Sequence, residues 1–443
     1  MKSADVAADT AAPQPGSPLR AIAGSRLAHW LAVALTLLAL PHLPGLDGNF
    51  GRSLLSQMGI AAVFAVSYSL LLGQTGLLSF GHAVYFGLGA YASIHLMRAI
   101  DAGLAIPMPL VPLAGAAAGL FFGMLFGSVT TRRAGVVFAL ISLGVGELVF
   151  AAMRILQGFS GGEEGITANR GIGPHPFGLS FGPQLQVYYV IAFWAMAAAL
   201  ALAAFLRTPV GRMCNAVRDN PERAAFVGYD PVRVRFVAFS VAAAFAGLAG
   251  GLHALNYEIV AAEAVGAGRS GTVLLMTYIG GVQHLFGAVL GAIAITWLQV
   301  SLSDYTTAWQ LYVGLFFIGM VLFAPGGLSG LLLMHRPILA TRALGRVLAS
   351  YVGAAIPALL ACCGAIALLE INYRRATQPD AGTRMRLFGI SLDTSTPWPW
   401  LAALALIAIG AWLARLAAPR VKAAWAEAME EAAARSTPRK GAP

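Results

Sequence analysis

Long uncharged apolar stretches alternate with short charged ones along most of the chain. A membrane-spanning helix needs about 20 mostly apolar residues. Residues 27–46, 102–131, 134–153 and 236–257 each supply one such stretch, and 134–153 holds a single internal charge, Glu147. Residues 53–97 and 270–303 are too long for one helix. Each carries a Gly-rich polar interruption, at 73–81 and 280–287, so each predicts two helices. Residues 171–206 open with a Pro/Gly loop and predict a helix from about Val187. Residues 305–335 predict a helix that stops at Pro325-Gly326-Gly327, and 347–369 and 394–414 predict two more. Twelve hydrophobic segments result, that at about 270–283 being the shortest.

Composition agrees with this pattern. Of 443 residues, 58% are hydrophobic and only 11% charged, against about 25% charged in soluble chains. A soluble enzyme is therefore excluded. The three cysteines, Cys214 and the adjacent Cys362 and Cys363, form neither a disulfide framework nor a metal site. A net charge of +10 could suggest nucleic acid, but the cations are mostly Arg scattered over short loops. That distribution suits loops flanking a membrane. The expected fold class is all-α, a polytopic membrane protein.

Lys and Arg in the short loops set orientation. Arg20, Arg26, Arg132, Arg133, the 207–235 loop, Arg336, Arg342, Arg346, Arg415, Arg420 and Lys422 share one side if both termini are cytoplasmic. Arg374, Arg375, Arg384 and Arg386 fall on the other side and disagree. Residues 1–26 are poor in apolar side chains and are expected to be a disordered cytoplasmic segment. The first span lacks a small-x-small cleavage site and is expected to be retained. Residues 419–443 read as a cytoplasmic tail with a short exposed helix.

Four features carry candidate function. Gly115, Gly119, Gly123 and Gly127 recur every fourth residue, making a flat ridge for a close helix neighbour. The two interruptions hold Gln74, Thr75, Gly76, Ser79, Gly81 and His82, and Gly280, Gly281 and Gln283. Irregular backbone at membrane depth is tolerated where it is buried in protein or lines a cavity, so these residues either line a transport pathway or form tight loops at the surface. Glu147 is an intramembrane acid, which usually faces a bundle interior, as pathway lining or as partner of a polar neighbour. Finally, the loop with Arg218, Asp219, Asn220, Glu222, Arg223, Ala224, Phe226 and Gly228 predicts a two-turn helix. Asn220 would cap it, Pro221 open it and Gly228 close it. So short a helix must lean on something. It reads as a docking piece for another protein or as a solvated basic connector. The three lysines, Lys2, Lys422 and Lys440, sit in no Walker A loop, and no catalytic constellation shares a span.

Three stretches, GQTGLLSFGHAVYFGLGAYA at 73–92, AVRDNPERAAFVGYDPVRVRFVAFSVAAAFAGLAGG at 216–251, and 279–291 with LFAPGGLSGL at 322–331, resemble the permease subunits of branched-chain amino-acid ABC importers, a family with urea and amide relatives. The resemblance covers roughly 51–333. It implies a permease domain over 27–333 and a bacterial inner-membrane location; residues 334–418 lie beyond it and are expected to be an accessory two-helix extension. It further implies a homologous second permease, two cytoplasmic ATPases and a periplasmic binding protein, with ATP used by those partners and no cofactor on this chain. The 216–228 loop corresponds to the family's ATPase-coupling segment, matching its Glu-Ala-Ala…Gly pattern loosely. Branched-chain amino acids lead as substrate, ahead of urea, short amides and aromatic acids. A twelve-helix secondary transporter is the alternative from another class.

Overall fold

The computed structural model of the protein describes residues 26–173, 178–339, 344–377 and 382–436. The expected disorder of residues 1–26 lies outside these, Arg26 excepted. The chain forms two compact units, Met1–Thr277 and Tyr278–Pro443.

In the first unit the helices are α1 (Arg26–Ala39), α2 (Asn49–Ser69), α3 (Ala83–Asp101), α4 (Val111–Thr130), α5 (Gly135–Ile155), α6 (Gln184–Phe205), α7 (Pro209–Asp219), α8 (Pro221–Phe226) and α9 (Pro231–Tyr257). The helix α10 (Ala267–Gly280) follows. Its core is α3, α4 and α9, brought together by missing side chains. A Cβ added at Gly247 would meet Gly119 Cα at 2.8 Å and overlap the Gly115 carbonyl, and one at Gly251 would meet Pro112 Cα at 2.8 Å. One at Gly89 would meet Gly247 Cα at 2.5 Å. The expected ridge therefore packs, and α9 answers it with its own Gly247 and Gly251. Between membrane helices, where no hydrophobic gradient exists, such close backbone approach supplies the packing energy.

At one end of this unit, β1 (Ile166–Thr167) pairs antiparallel with β2 (Ile259–Val260). Arg170 secures the same end. Its backbone N–H donates to Glu258 Oε1 at 2.8 Å and its Nη1 to the Asn256 carbonyl at 2.8 Å. Gln184 Nε2 donates to Asn256 Oδ1 at 2.8 Å and joins α6 to α9.

The second unit holds α11 (Leu285–Ser303), α12 (Trp309–Phe323), α13 (Gly327–Met334), α14 (Leu344–Thr377) and α15 (Trp398–Ser436). Helices α12 and α13 meet at a 48° bend where Pro325-Gly326 interrupts the ladder. The α14–α15 pair is again seated on glycines, a Cβ at Gly364 meeting the Ala403 carbonyl at 2.6 Å. Tyr312 donates to Glu370 Oε1 at 2.8 Å, tying α14 to α12.

Among the described residues, eight helices are long and apolar enough to cross a membrane, or nine with the bent pair counted as one span. The protein is all-α and polytopic. Two boundaries differ from the pattern reading. Residues 398–436 form one helix with Pro419 inside it, so the short helix expected after 419 is continuous with the helix before it. A proline removes one donor and kinks a helix without necessarily ending it. A hairpin of β3 (Arg384–Leu387) and β4 (Ile390–Asp393) also joins α14 to α15. Its turn residues, Phe388 and Gly389, both have positive φ, the geometry of the tight hairpin turn.

Candidate functional site

The first interruption is built at the end of α2. Residues Leu70–Thr75 wind as a π-helical turn, which widens the helix and frees carbonyls, and Gly76 ends it at φ 69°. π-Turns of this kind concentrate at functional sites. The chain then passes through an irregular stretch and a turn at 80–82 into α3. Tyr68 donates to the Ser79 carbonyl at 2.9 Å, and the Phe80 N–H donates to Ser142 Oγ of α5 at 3.1 Å. Ser270 Oγ of α10 accepts from Ala83 N–H at 2.9 Å, satisfying a free donor at the start of α3. Ser67 donates to the Phe64 carbonyl at 2.6 Å, so its oxygen accepts from His82 Nε2 at 2.9 Å. His82 is enclosed by the rings of Phe64, Tyr68 and Tyr85.

Thr75, Ser79, Gly81 and His82 are thus buried inside the unit, whereas Gly76 is exposed and Gln74 half-buried. The neighbour of Gln74 is the basic loop. Asn215 Nδ2 donates to Gln74 Oε1 at 2.9 Å, and Arg218 Nη1 donates to the Gly73 carbonyl. The Arg218 stem lies over Gly76, where a Cβ would meet Arg218 Cγ at 2.9 Å. Two regions 140 residues apart in the chain form one structure.

That loop folds as its sequence predicts. Thr208 accepts from Gly211 N–H at 3.1 Å and starts α7. Asn220 Oδ1 accepts from Arg223 N–H at 2.9 Å and starts α8, and Asp230 Oδ1 accepts from Val232 N–H at 2.9 Å and starts α9. Gly228 has φ 90° and lets the chain turn back. Helix α8 leans on α7 and α9 through Ala224, packed with Cys214, Val217 and Val234. Burial pushes the Cys214 thiol up to about 11. The opposite face is bare, with Phe226 91% and Val227 73% exposed beside exposed Glu222 and Arg223. Phe226 and Val227 thus form an exposed apolar corner at the end of the capped helix. Arg218, expected among the docking charges, instead faces the interruption; Asp219 pairs with it at 2.9 Å.

The second interruption, in the second unit, is of another kind. Only four residues separate α10 from α11, and they are packed through glycine. Gly281 has φ 110°, a Cβ at Gly280 would meet Gly291 N at 2.8 Å, and one at Gly327 would meet Gly281 Cα at 2.5 Å. Gln283 is exposed. The shared Gly-rich composition thus conceals a polar network in one case and a backbone contact in the other. Glu147 also departs from expectation, since it lies on the exposed face of α5 with Leu140, Gly144 and Leu148. The buried face of that helix, Phe138, Ser142, Gly146 and Val149, is the one that packs inward.

No solved structure matches the chain. Among curated proteins, it is 26% identical over 344 residues to the high-affinity branched-chain amino acid transport system permease protein LivM of Salmonella typhimurium, covering 72% of this chain and 78% of that one. LivM of Escherichia coli is 28% identical over 299 residues, covering 63% of this chain and 69% of its own length. LivH of Escherichia coli, also a permease protein of that system, is 25% identical over 294 residues, covering 61% and 91%. The family described as branched-chain amino acid transport system / permease component matches residues 52–325. That match takes in both interruptions and the capped loop, and the chain belongs to this family of permeases.

Proposed function

We propose that the protein is the membrane-spanning subunit of an ATP-driven importer for branched-chain amino acids. It pairs with a second, homologous permease, receives substrate from a periplasmic binding protein, and is driven by two cytoplasmic ATPases that use ATP on its behalf. It lies in the bacterial inner membrane with both termini cytoplasmic. Likeness to both LivM and LivH supports the paired arrangement.

The observation that carries the reading is the joining of the Phe226 corner to the interruption through Asn215–Gln74 and Arg218–Gly73. An ATPase that seats Phe226 and moves α8 with α7 pulls on the π-turn at the end of α2. Gln74, Gly76 and Glu147 face the pathway in this scheme, while Thr75, Ser79, Gly81 and His82 hold its wall. In the second unit, Gly280 and Gly281 set the turn of the second interruption. The α14–α15 pair is an accessory element.

Reconstitution tests this reading. The permease with its second permease, ATPases and binding protein should move leucine only with ATP. The chain alone, under an imposed proton or sodium gradient, should move none. Gradient-driven uptake by the isolated chain would favour the secondary-transporter alternative, and uptake of urea or aromatic acids in place of leucine would redirect the substrate.

A further inference from the structure

The β3–β4 hairpin joins the two long helices α14 and α15 and lies beyond the residues that the permease family matches. Its base sits at the edge of the membrane. Gly364 packs on Ala403, so Leu369, where the uncharged stretch of α14 ends, lies level with Trp398 at the start of α15. Trp398 is 76% exposed, and tryptophans at the end of a span mark the bilayer–water interface. Trp400 Nε1 donates to the Thr394 carbonyl at 3.2 Å, and Thr394 N–H donates to the Thr383 carbonyl at 2.8 Å. These two bonds hold the hairpin at that level. Arg375 closes the corner, its Cζ 5.7 Å from the centroid of the Trp400 ring.

The two faces of the hairpin differ. Paired residues of antiparallel strands share a face, and neighbours along a strand alternate. Arg384 pairs with Asp393 and Arg386 with Ser391, so one face is polar and carries two guanidinium groups. Met385 pairs with Leu392 and Leu387 with Ile390, so the other is wholly apolar. Met385 is buried at the base, whereas Ile390 and Phe388 near the tip are 62% and 60% exposed. The turn itself is strained. Phe388 has φ 51°, a left-handed geometry that asparagine, aspartate or glycine adopts readily and a bulky aromatic does not. A turn built only for closure would carry one of those residues. So exposed an aromatic offsets little of that strain by packing inside its own chain.

We infer that the hairpin lies flat in the headgroup layer of the bilayer, with Leu387, Phe388 and Ile390 in the acyl boundary and Arg384 and Arg386 on phospholipid phosphates. Strands of four residues put the tip about 13 Å from the base. With the base fixed between two spans, the bilayer is the apolar phase within that reach. Guanidinium groups meet phosphate through two parallel N–H donors. Arg384 and Arg386, which the orientation count leaves on the wrong side of the membrane, thereby act as interfacial anchors.

Nitroxide accessibility in the complete importer, held in nanodiscs containing phosphatidylglycerol, tests this placement. The probe is attached to Phe388→Cys, Ile390→Cys or Ser391→Cys in a chain whose three cysteines are replaced by alanine. Labels at 388 and 390 should be reached by oxygen several-fold more readily than by a water-soluble nickel chelate, at a depth of about 5–10 Å below the phosphates. A label at 391 should show the reverse preference. Adding Arg384→Gln and Arg386→Gln should move the labels at 388 and 390 toward water. Chelate access at 388 and 390 equal to that at 391 would overturn the inference and leave the hairpin in solvent. So would chelate access that is lost only when the binding protein is added, which would make the tip a protein-docking surface. An unmoved depth in the arginine variant would remove the phosphate contacts and with them the proposed orientation. Should a label at 388 disturb the turn, the one at 390, on β4, decides the question.

Discussion

Asn215 donates from Nδ2 to Gln74 Oε1 at 2.9 Å, across 141 residues of sequence. It joins a surface loop to the π-turn that ends a membrane helix. Arg218, one helical turn further along, repeats the connection at the Gly73 carbonyl. A motion of α7 therefore reaches the wall of the proposed pathway through two hydrogen bonds, with no flexible linker between.

The exposed corner gives the first prediction. Truncating a buried aromatic anchor at an interface typically costs at least ~2 kcal/mol, about thirtyfold in binding. Phe226→Ala should lower ATPase co-purification by that order, because Phe226 has few partners within this chain to lose. Gly228→Val meets open space for its side chain but strains a backbone at φ 90°, so it should act by disordering the end of α8. Arg218→Ala should spare ATPase binding and disturb the interruption instead.

Packing of the α3–α4–α9 core yields the second. Gly247 has backbone on the other side, so a larger residue cannot relax by changing rotamer. Gly247→Val should destabilise the protein by about 3 kcal/mol or more. Gly353→Ala, on α14 with nothing within 4 Å, should be neutral or add up to about 1 kcal/mol of helix stability. Thermal unfolding in detergent separates the two.

The third concerns pH. Burial raises the Cys214 thiol from its ordinary value of 9.0 to about 11. The folded state disfavours the thiolate, so its contribution is intact below pH 9 and is lost as pH rises from there through 11. Loop packing around Ala224 and Val234 should loosen over that window, and Cys214→Ala should flatten the dependence. Maleimide labelling near pH 7.5 should be negligible in the native protein and complete after denaturation. Rapid native labelling would show that the loop opens.

The parts legible in the sequence were those written in local spacing. Glycines at every fourth residue announced the α4 ridge, and Asn220, Pro221 and Gly228 announced α8 and its ends. What stayed hidden depends on which way a side chain turns in three dimensions. Arg218 and Arg223 look alike in a basic loop, yet only Arg218 turns inward to Gly73. Arg269 bounds an uncharged stretch and so reads as a loop charge, whereas the fold lays it over Phe86. Glu147 reads as interior because acids in spans usually are; its neighbours Gly144 and Leu148 share its outward face. Its heptad-like partners Ser142, Gly146 and Val149 were the available signal, since they mark the inward stripe and Glu147 lies off it. Pro419 looked like a boundary, and the helix simply runs through it.

Coupling through Asn215 and Gln74 is the centre of the account. A double-mutant cycle on binding-protein-stimulated ATP hydrolysis in the reconstituted importer measures it most directly. A neutral hydrogen bond contributes about 1 kcal/mol, roughly fivefold. The account predicts that Gln74→Ala and Asn215→Ala each lower stimulation about fivefold, with subunit assembly retained, and that the double variant is no worse than either single one. Wild-type stimulation in both, or an additive loss of about 25-fold in the double variant, would contradict it.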